Sequence, residues 1–371
     1  MYEEITEGLA NLYVPKQKKI SRKLPVFYNP VMKLNRDISI LLLNSLPDKK
    51  LQIALPLSGT GVRGIRFLKE LKKGKIKNIS FNDNNETAVK IIKKNLNLNK
   101  DNFTTKDIHV FNKDANQFLT ESFGFDYIDI DPFGSPNKFL NTAVERISRR
   151  GVLAVTATDT GCLCGTFEKA CQQKYWAKPL HNEFMHETGL RILIRKIQLI
   201  ASQYDRALIP MFSYSKDHYF RVFFRCKKGK KHVEHVLKQH RFILFCRNCL
   251  NRSISEKNSG KCECKKEFEY GGPLWTGLLW DSDLVKQMMK NSSTDFLKII
   301  YDESKVLSKT GAGIYDIHAI CRKHKLKKIP KKQDIIERIK KKKHPVSETH
   351  LSPYGLRTDM QIKELIKLIK K

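Results

Sequence analysis

The stretch "DYIDIDPFGSP", Asp126 to Pro136, climbs through alternating apolar residues as a buried strand does, then stops on Asp131, Pro132, Phe133 and Gly134. A turn accounts for the proline and the glycine. It does not account for a carboxylate and an aromatic ring delivered together at the strand's tip. Upstream, "LQIALPL" (Leu51 to Leu57) is a short apolar run that ends at Ser58-Gly59-Thr60-Gly61. "VRGIRFLKELKK" follows, with Val62, Ile65, Leu68 and Leu71 at helical spacing. "ISFNDNN" is a second strand tip and "ETAVKIIKKNLNLN" a second helix, while "IHVFNKDANQFL" gives a third strand ending near Asp114. "YIDIDP" is the fourth strand and "GVLAVTATD" the fifth. "HNEFMHETGLRILIRKIQLIASQ", from His181, predicts one helix of more than four turns, and "ALIPMFSYS" and "HYFRVFFRC" predict two strands joined by a tight polar connection. The alternation predicts an α/β fold: a mostly parallel sheet covered on both faces and closed by an antiparallel hairpin.

In such a sheet, ligands bind beyond the carboxyl ends of the strands, at the topological switch point. Gly59 and Gly61 let a ligand approach the backbone closely. Asp83 stands 22 residues past Gly61, where an acid accepts hydrogen bonds from ribose hydroxyls. Asp114 ends the third strand, where a carboxylate can read an adenine amine, and Asp131 ends the fourth. Each acid alone could cap a helix; acids at three consecutive strand ends are more than turns require. "GTGVRG" (Gly59, Gly61, Gly64) also satisfies the dinucleotide-binding pattern G-x-G-x-x-G, so the loop does not exclude a dehydrogenase. The fourth strand does. A nucleobase amine is a poor nucleophile because its lone pair is delocalised into the ring. A carboxylate that accepts its N–H bonds turns the lone pair toward a methyl donor, Pro132 stiffens the turn, and Phe133 offers a face for the base. Most of the acceleration in such a site comes from alignment, with electrostatics second.

At 371 residues the chain is long enough for two domains. No apolar run is long enough to span a bilayer, and "MYEEITEGLANLY" lacks the basic-then-apolar order of a signal peptide, so a cytoplasmic location is expected. Nine cysteines there act as thiols or metal ligands rather than disulfides. Lys and Arg number 70 against 38 Asp and Glu, a net charge of +32 that exceeds what an ordinary Lys-rich surface explains. A nucleic acid is the expected partner; no membrane and no obligate protein partner are expected.

These residues carry a resemblance. "VFYNPVMKLNRDIS", "SGTGVRGIRFLKE", "DIDPFGSP", "ATDTGCLCGTFEKACQQKYW", "HETGLRILI", "GGPLWTG" and "THLSPYGLRTD" together resemble the tRNA guanine-26 dimethyltransferase family of archaea and eukaryotes. The resemblance runs over nearly the whole chain. It implies a Rossmann-like class I methyltransferase that uses S-adenosylmethionine to methylate the N2 amine of a guanine at tRNA position 26, once and then again. It further implies that Arg36 and Arg66 pair with the cofactor's carboxylate, Asp83 with its ribose, and that Asp114 and Ala115 complete the cofactor site. Asp131 becomes the catalytic acceptor, and Phe27 and Phe133 the rings that clamp the guanine. Arg63 is an alternative to Arg66. From the residues alone, Arg36 is a solvated helix residue and Phe27 a hydrophobic staple under an Asn29 cap. The first strand departs from many methyltransferases in ending on Pro-Leu-Ser rather than an acid.

Cys162, Cys164 and Cys171 suit small buried thiols, and His181, His186 and Glu187, on the expected long helix, suit structural contacts rather than a metal face. Cys246, Cys249, Cys262 and Cys264, as Cys-x-x-Cys and Cys-x-Cys around a polar loop, suit a structural tetrathiolate zinc, with Cys226 a conceivable substitute ligand and a redox pair the alternative. From Lys305 onward there are 19 Lys or Arg against 6 Asp or Glu. "IYDIHAICRKH" and "KQDIIERIKKKK" predict two short amphipathic helices, and "HPVSETHLSPYGLRTD" a loop or small wing, which resembles a winged helix laid on RNA backbone. "KQKKISRK" near the N-terminus is a second candidate contact. The expected division is a methyltransferase domain over 1–226 and a smaller α+β, zinc-bearing tRNA-binding domain over 227–371. Two rival functions share these features: a methyltransferase acting on an adenine or guanine amine of ribosomal RNA or DNA, and a non-catalytic RNA-binding protein on the same scaffold.

Overall fold

The computed structural model describes residues 2–16, 25–326 and 328–370. The candidate contact "KQKKISRK" lies, beyond Lys16, outside the described residues. Seven strands form the central sheet: Leu51–Leu55, Ile76–Asn82, Ile108–Phe111, Phe125–Ile130, Ile147–Ala157, Arg206–Lys216 and Tyr219–Lys228, first to seventh. Their spatial order is 3-2-1-4-5-7-6. The first five run parallel; the seventh is antiparallel to the fifth and the sixth to the seventh. The order reverses between the first and fourth strands, so the switch point falls between the glycine loop and the Asp131 tip.

Helix Val62–Glu70 packs on this sheet through Gly64. A Cβ there would lie 2.2 Å from Phe81 Cε1 and 2.7 Å from Leu55 Cδ1, so only glycine allows the approach. Ile65, Phe67 and Phe81 are fully buried around it, each side chain worth roughly 1.5–3 kcal/mol of apolar burial. An N-terminal hairpin, Tyr2–Glu7 and Ala10–Pro15, lies across this helix and Glu86–Leu98. Asn95 on the latter helix and Asn99 just past its end satisfy the hairpin's edge, accepting from Tyr13 N at 2.7 Å and Asn11 N at 2.9 Å. The hairpin also carries the buried Glu7 against Arg36 and Arg66.

The long helix is Met185–Ser202, 18 residues, and does not include His181. Asn182 stops it early: its carbonyl takes Met185 N at 3.1 Å and its side chain takes Phe184 N at 3.1 Å. His181 and His186 therefore do not share a helical face; both contact Cys164, His181 at its carbonyl and His186 at its sulfur.

Past the seventh strand, which ends at Lys228, a three-stranded antiparallel sheet forms from His240–Phe245, Arg252–Ser255 and Glu269–Trp275. Helix Asp295–Thr310, strand Tyr315–Asp316, helices Ile317–Lys323 and Lys332–Lys341, and strands Val346–Glu348 and Gly355–Thr358 follow in winged-helix order. The two expected amphipathic helices are both present. The stretch expected as a loop or wing is a hairpin, and a last helix, Ile362–Lys370, closes the chain.

A buried charge cluster ties this part to the first. Arg357 on the wing reaches Glu187 of the long helix at 3.0 Å and Glu303 at 2.8 Å, with Arg191 on Glu187 at 2.9 Å, all 1 % exposed or less. Burial alone would raise the Glu187 carboxyl; Arg357 and Arg191 outweigh it and hold it at about 2. Removing one partner strands the others. Arg357→Met is expected to lower unfolding stability by about 3–5 kcal/mol in urea titrations, and a loss under about 1 kcal/mol, the size of an exposed pair, contradicts the cluster's role. Because the Glu187 carboxyl is depressed from 4.5, its contribution is complete above that pH and is lost as pH falls toward 2.

Candidate active site and thiolate cluster

Asp129 and Asp131 are two residues apart on the fourth strand and its tip, and so lie on one side of it. Asp129 is buried and gripped bidentately by Arg221 of the seventh strand, at 2.9 and 2.7 Å, with the Tyr127 hydroxyl at 2.5 Å. Burial would raise its carboxyl, but Arg221 and Arg63 hold it below the usual range. Arg63, at the start of helix Val62–Glu70, donates to Asp131 Oδ2, to Asn35 Oδ1 at 2.9 Å and to Ser39 Oγ at 3.0 Å. Burial opposes the charge on Arg63; Asp129 and Asp131 outweigh it. Asp131 Oδ1 takes no hydrogen bond from the described residues, and its side chain is 22 % exposed.

The turn after Asp131 is fixed from both sides. Gly134, at φ +77°, donates to Thr158 Oγ1 at 2.7 Å and accepts from Thr158 N at 3.0 Å, which clasps the loop to the end of the fifth strand. This holds Phe133 outward, where its ring meets that of Phe27 edge to face, centroids 4.2 Å apart. Phe27 has Asn29 beside it as the expected cap, accepting from Val31 N.

Gly59, at φ +53°, lets the Phe27 backbone close in on the loop: a Cβ there would lie 2.8 Å from the Phe27 carbonyl oxygen. Its N–H is held by Asp83 Oδ2 at 2.8 Å, while Asp83 Oδ1 accepts from Asn85 N at 3.0 Å. Burial raises the Asp83 carboxyl further than these two bonds lower it. Gly61, at φ +79°, starts the following helix. Asp114 does cap the helix that begins at the buried Ala115, accepting from Asn116 N at 2.8 Å. The two loops are joined, since Asn112 donates to the Asp83 carbonyl.

Phe27, Arg36, Ser58, Gly59, Arg63 and Asp131 line one cavity. Gly61, Arg66, Asp83, Asp114, Ala115 and Phe133, all expected at the site, do not line it. Arg66 faces three carboxylates, Glu7, Asp37 and Glu70, each within 2.9 Å. Arg36 binds Glu7 bidentately at 2.7 and 2.5 Å, and its Nη1 takes no part. Glu7 therefore bridges both guanidinium groups, and Tyr28 donates to it at 3.0 Å. Burial would raise the Glu7 carboxyl, but Arg36 and Arg66 keep it low. Sequence reasoning missed Glu7, Asp129 and Arg221. Only Asp129 left a signal, as the polar residue inside an otherwise apolar strand.

The thiols of Cys164 and Cys171 are pushed up to about 12 by burial, which makes them inert packing groups. Cys226 lies buried in the seventh strand beside Arg206 and does not join the other cluster. There, the sulfurs of Cys246, Cys249, Cys262 and Cys264 all lie within 4.8 Å of one another. The pairs Cys246–Cys264 and Cys249–Cys262 are 3.4 Å apart, close to the sulfur spacing of about 3.8 Å that follows from tetrahedral Zn–S bonds of about 2.3 Å. Two matched turns present them: Leu250 N returns to the Cys246 carbonyl and Lys265 N to the Cys262 carbonyl, each at 2.8 Å and each on a positive φ. The Lys265 turn supplies the tightness that Cys-x-Cys demands.

A covered sheet of this order, with a glycine loop after the first strand, an acid after the second and Asp-Pro-Phe on the fourth, is that of a class I methyltransferase. The chain belongs to the N2,N2-dimethylguanosine tRNA methyltransferase family, whose pattern matches residues 8–370. It is 38 % identical over 384 residues to the tRNA (guanine(26)-N(2)/guanine(27)-N(2))-dimethyltransferase of Aquifex aeolicus, covering 98 % of this chain and 95 % of that one. It is 38 % identical over 381 residues to the tRNA (guanine(26)-N(2))-dimethyltransferase of Methanosphaera stadtmanae, covering 98 % and 96 %. Among solved structures, Trm1 from Pyrococcus horikoshii with S-adenosyl-L-methionine superposes over both whole chains at a TM-score of 0.87 and 34 % identity.

The thiolate set generates a prediction. Purified protein is expected to carry one zinc per chain by elemental analysis, and Cys249→Ser to release it and lower the melting temperature by several degrees. Full stability without metal contradicts a structural zinc.

Proposed function

We propose that this protein transfers methyl groups from S-adenosylmethionine to the exocyclic N2 amine of a guanine in tRNA, at position 26, giving monomethyl- and then dimethylguanosine. The carrying observation is Asp131, with one oxygen fixed by Arg63 and the other open beside Phe27 and Phe133. When bound, S-adenosylmethionine supplies an electrophilic methyl carbon. The Gly59 loop, which lines the cavity, and Asp83, which holds its N–H, would take the adenosine portion, Asp83 through the ribose, with Asp114 and Ala115 beside the adenine. Arg36 Nη1 is free to take its carboxylate. We assign Arg66 a positioning part instead: it shares Glu7 with Arg36 and holds that group in place.

On the substrate side, Asp131 Oδ1 accepts an N2–H bond and turns the nitrogen lone pair out of the guanine ring. The methyl would leave the sulfonium with the S–C electron pair staying on sulfur, giving S-adenosylhomocysteine; as the new N–C bond forms, the amine becomes acidic, and its proton passes to Asp131 or to solvent. Phe27 and Phe133 part from their 4.2 Å contact to admit the base between them. Extracting that base costs a few kcal/mol of unstacking, which aromatic stacking and phosphate contacts return. Loss of the first methyl product's proton leaves one N–H, so Asp131 can orient the second transfer in the same way.

The basic winged helix lies on the tRNA backbone, and the tetrathiolate zinc braces the sheet beside it. In this reading the methyltransferase part spans 1–226 and the tRNA-binding part 227–371, and the enzyme works in the cytoplasm. No helix among the described residues is long and apolar enough to cross a membrane.

Asp131→Ala is expected to keep tRNA and cofactor affinity within about two-fold while methyl transfer falls at least 100-fold. Nucleoside mass spectrometry of tRNA treated with labelled donor is the measurement; full activity removes Asp131 from the mechanism, and methyladenosine in place of methylguanosine replaces the substrate. Affinity for tRNA is also expected to fall steeply with salt, by about 0.7–0.9 log units per log of salt for each phosphate engaged. A flat response contradicts the basic-clamp reading.

A further inference from the structure

Away from the methylation site, a second cavity of about 640 Å³ opens where the winged helix meets the sheet that carries the cysteine cluster and the loop before the long helix. Glu183, Leu250, His318, Arg322, Lys323 and Tyr354 line it. Its volume falls within the range of small-molecule sites, about 300–1,000 Å³.

Three features there leave recognition groups uncovered. Tyr354 is 48 % exposed on the wing loop, with one ring face stacked on His318 at 3.7 Å and an interplanar angle of 18°. The loop holds the ring in place: the Tyr354 carbonyl accepts from Ile317 N at 3.1 Å, and Tyr354 N donates to Ser352 Oγ at 3.3 Å. The ring is thus fixed without being covered. Glu183 is half-buried; its carboxylate accepts from its own backbone N–H and takes no hydrogen bond from another described residue, and burial raises it above the usual carboxyl range despite Arg252 and Arg247 nearby. Asp316, the other acid of the lining, is fully engaged, accepting from Ala319 N at 2.8 Å and Ser352 Oγ at 3.1 Å. Arg322 and Lys323 stand exposed at the rim with no carboxylate partner among the described residues.

A preset aromatic face, an inner acceptor that no other described residue donates to, and outer cations without a carboxylate partner match the three parts of a nucleotide: ring, base edge and phosphate. Base stacking on such a face is tolerant of sequence, but the acceptor is selective. Guanine alone among the bases presents two parallel donors, N1–H and an N2 amine hydrogen, to one carboxylate. We propose that this cavity is a second nucleotide site, separate from the methylation site, which holds an unstacked guanine of the RNA substrate with its ring on Tyr354, its donor edge on Glu183 and its phosphate on Arg322 and Lys323. The proposal rests on the tRNA-methylating reading above and adds a reading site to it: the enzyme grips one nucleotide while it modifies another.

The test uses full-length protein with a tRNA transcript and with guanosine and adenosine 5′-monophosphates as probes. Tyr354→Ala and Arg322→Ala are each expected to weaken tRNA binding about ten-fold by anisotropy, with the Kd for S-adenosylmethionine unmoved. Wild-type protein is expected to bind the guanosine probe more tightly than the adenosine probe, and Glu183→Gln to abolish that preference. Both side chains changed to alanine are exposed, so folding is preserved, and the unmoved cofactor Kd verifies it. Variant Kd values for tRNA within two-fold of wild type overturn the proposal. If the wild type methylates tRNA and the variants bind it normally, the second site fails while the function stands. If the wild type fails to methylate tRNA yet shows the Glu183-dependent guanosine preference, the function fails while the site stands.

Discussion

The fourth strand ends in two carboxylates that the protein must charge-balance in a place with little water. Arg221 neutralises Asp129 from the seventh strand, and Arg63 reaches from the helix after the glycine loop to Asp131. Everything at the switch point depends on this arrangement. It joins the two sides of the sheet where the strand order reverses, and it leaves Asp131 with one oxygen anchored and one available. A carboxylate tethered in this way needs no reorganisation to orient an amine, which is the condition under which electrostatic positioning is most effective. Removing Arg221 would leave the buried Asp129 with only the longer 3.5 Å contact to Arg63, so the network is structural and functional at once.

The same device recurs at two other junctions. Glu7, carried on the N-terminal hairpin, bridges Arg36 and Arg66, so an arginine of the cavity wall is held in place by a segment that is not part of the sheet. Arg357, carried on the wing, bridges Glu187 and Glu303, so the winged helix is fixed to the long helix through buried charge. Apolar packing builds each part of the molecule. Paired charges set how the parts meet at these points, because a misplaced partner leaves a buried ion without compensation, an error costlier than a shifted methyl group.

Much of the fold was legible because it is written locally. Alternation in "DYIDI", helical spacing in "VRGIRFL" and the glycines between them require no knowledge of distant residues, and the Asp-Pro-Phe tip announces itself by being wasteful as a turn. The cysteine cluster was legible for the same reason, as its spacing is local even though its metal-sized closure is not. The partners of the site were not legible. Arg221 lies 92 positions from Asp129 and Arg63 68 positions from Asp131, and nothing in either segment marks the pairing. Arg63 and Arg66 sit less than one helical turn apart, so periodicity alone could not say which faces the strand tip. The long helix began four residues late because Asn182 closes a turn that apolar spacing does not reveal.

The winged-helix part illustrates a different limit. Its two amphipathic helices were evident, yet helix Asp295–Thr310, the element that completes the motif ahead of them, carries a charge pattern that resembles any solvated helix. The most direct measurement of the account is a structure of the protein with S-adenosylhomocysteine and a guanine-containing tRNA. It is predicted to show the guanine N2 about 3 Å from Asp131 Oδ1, the ring between Phe27 and Phe133, and Arg63 still on Oδ2. A guanine amine directed at other groups, with the cofactor's sulfur remote from Asp131, would contradict it.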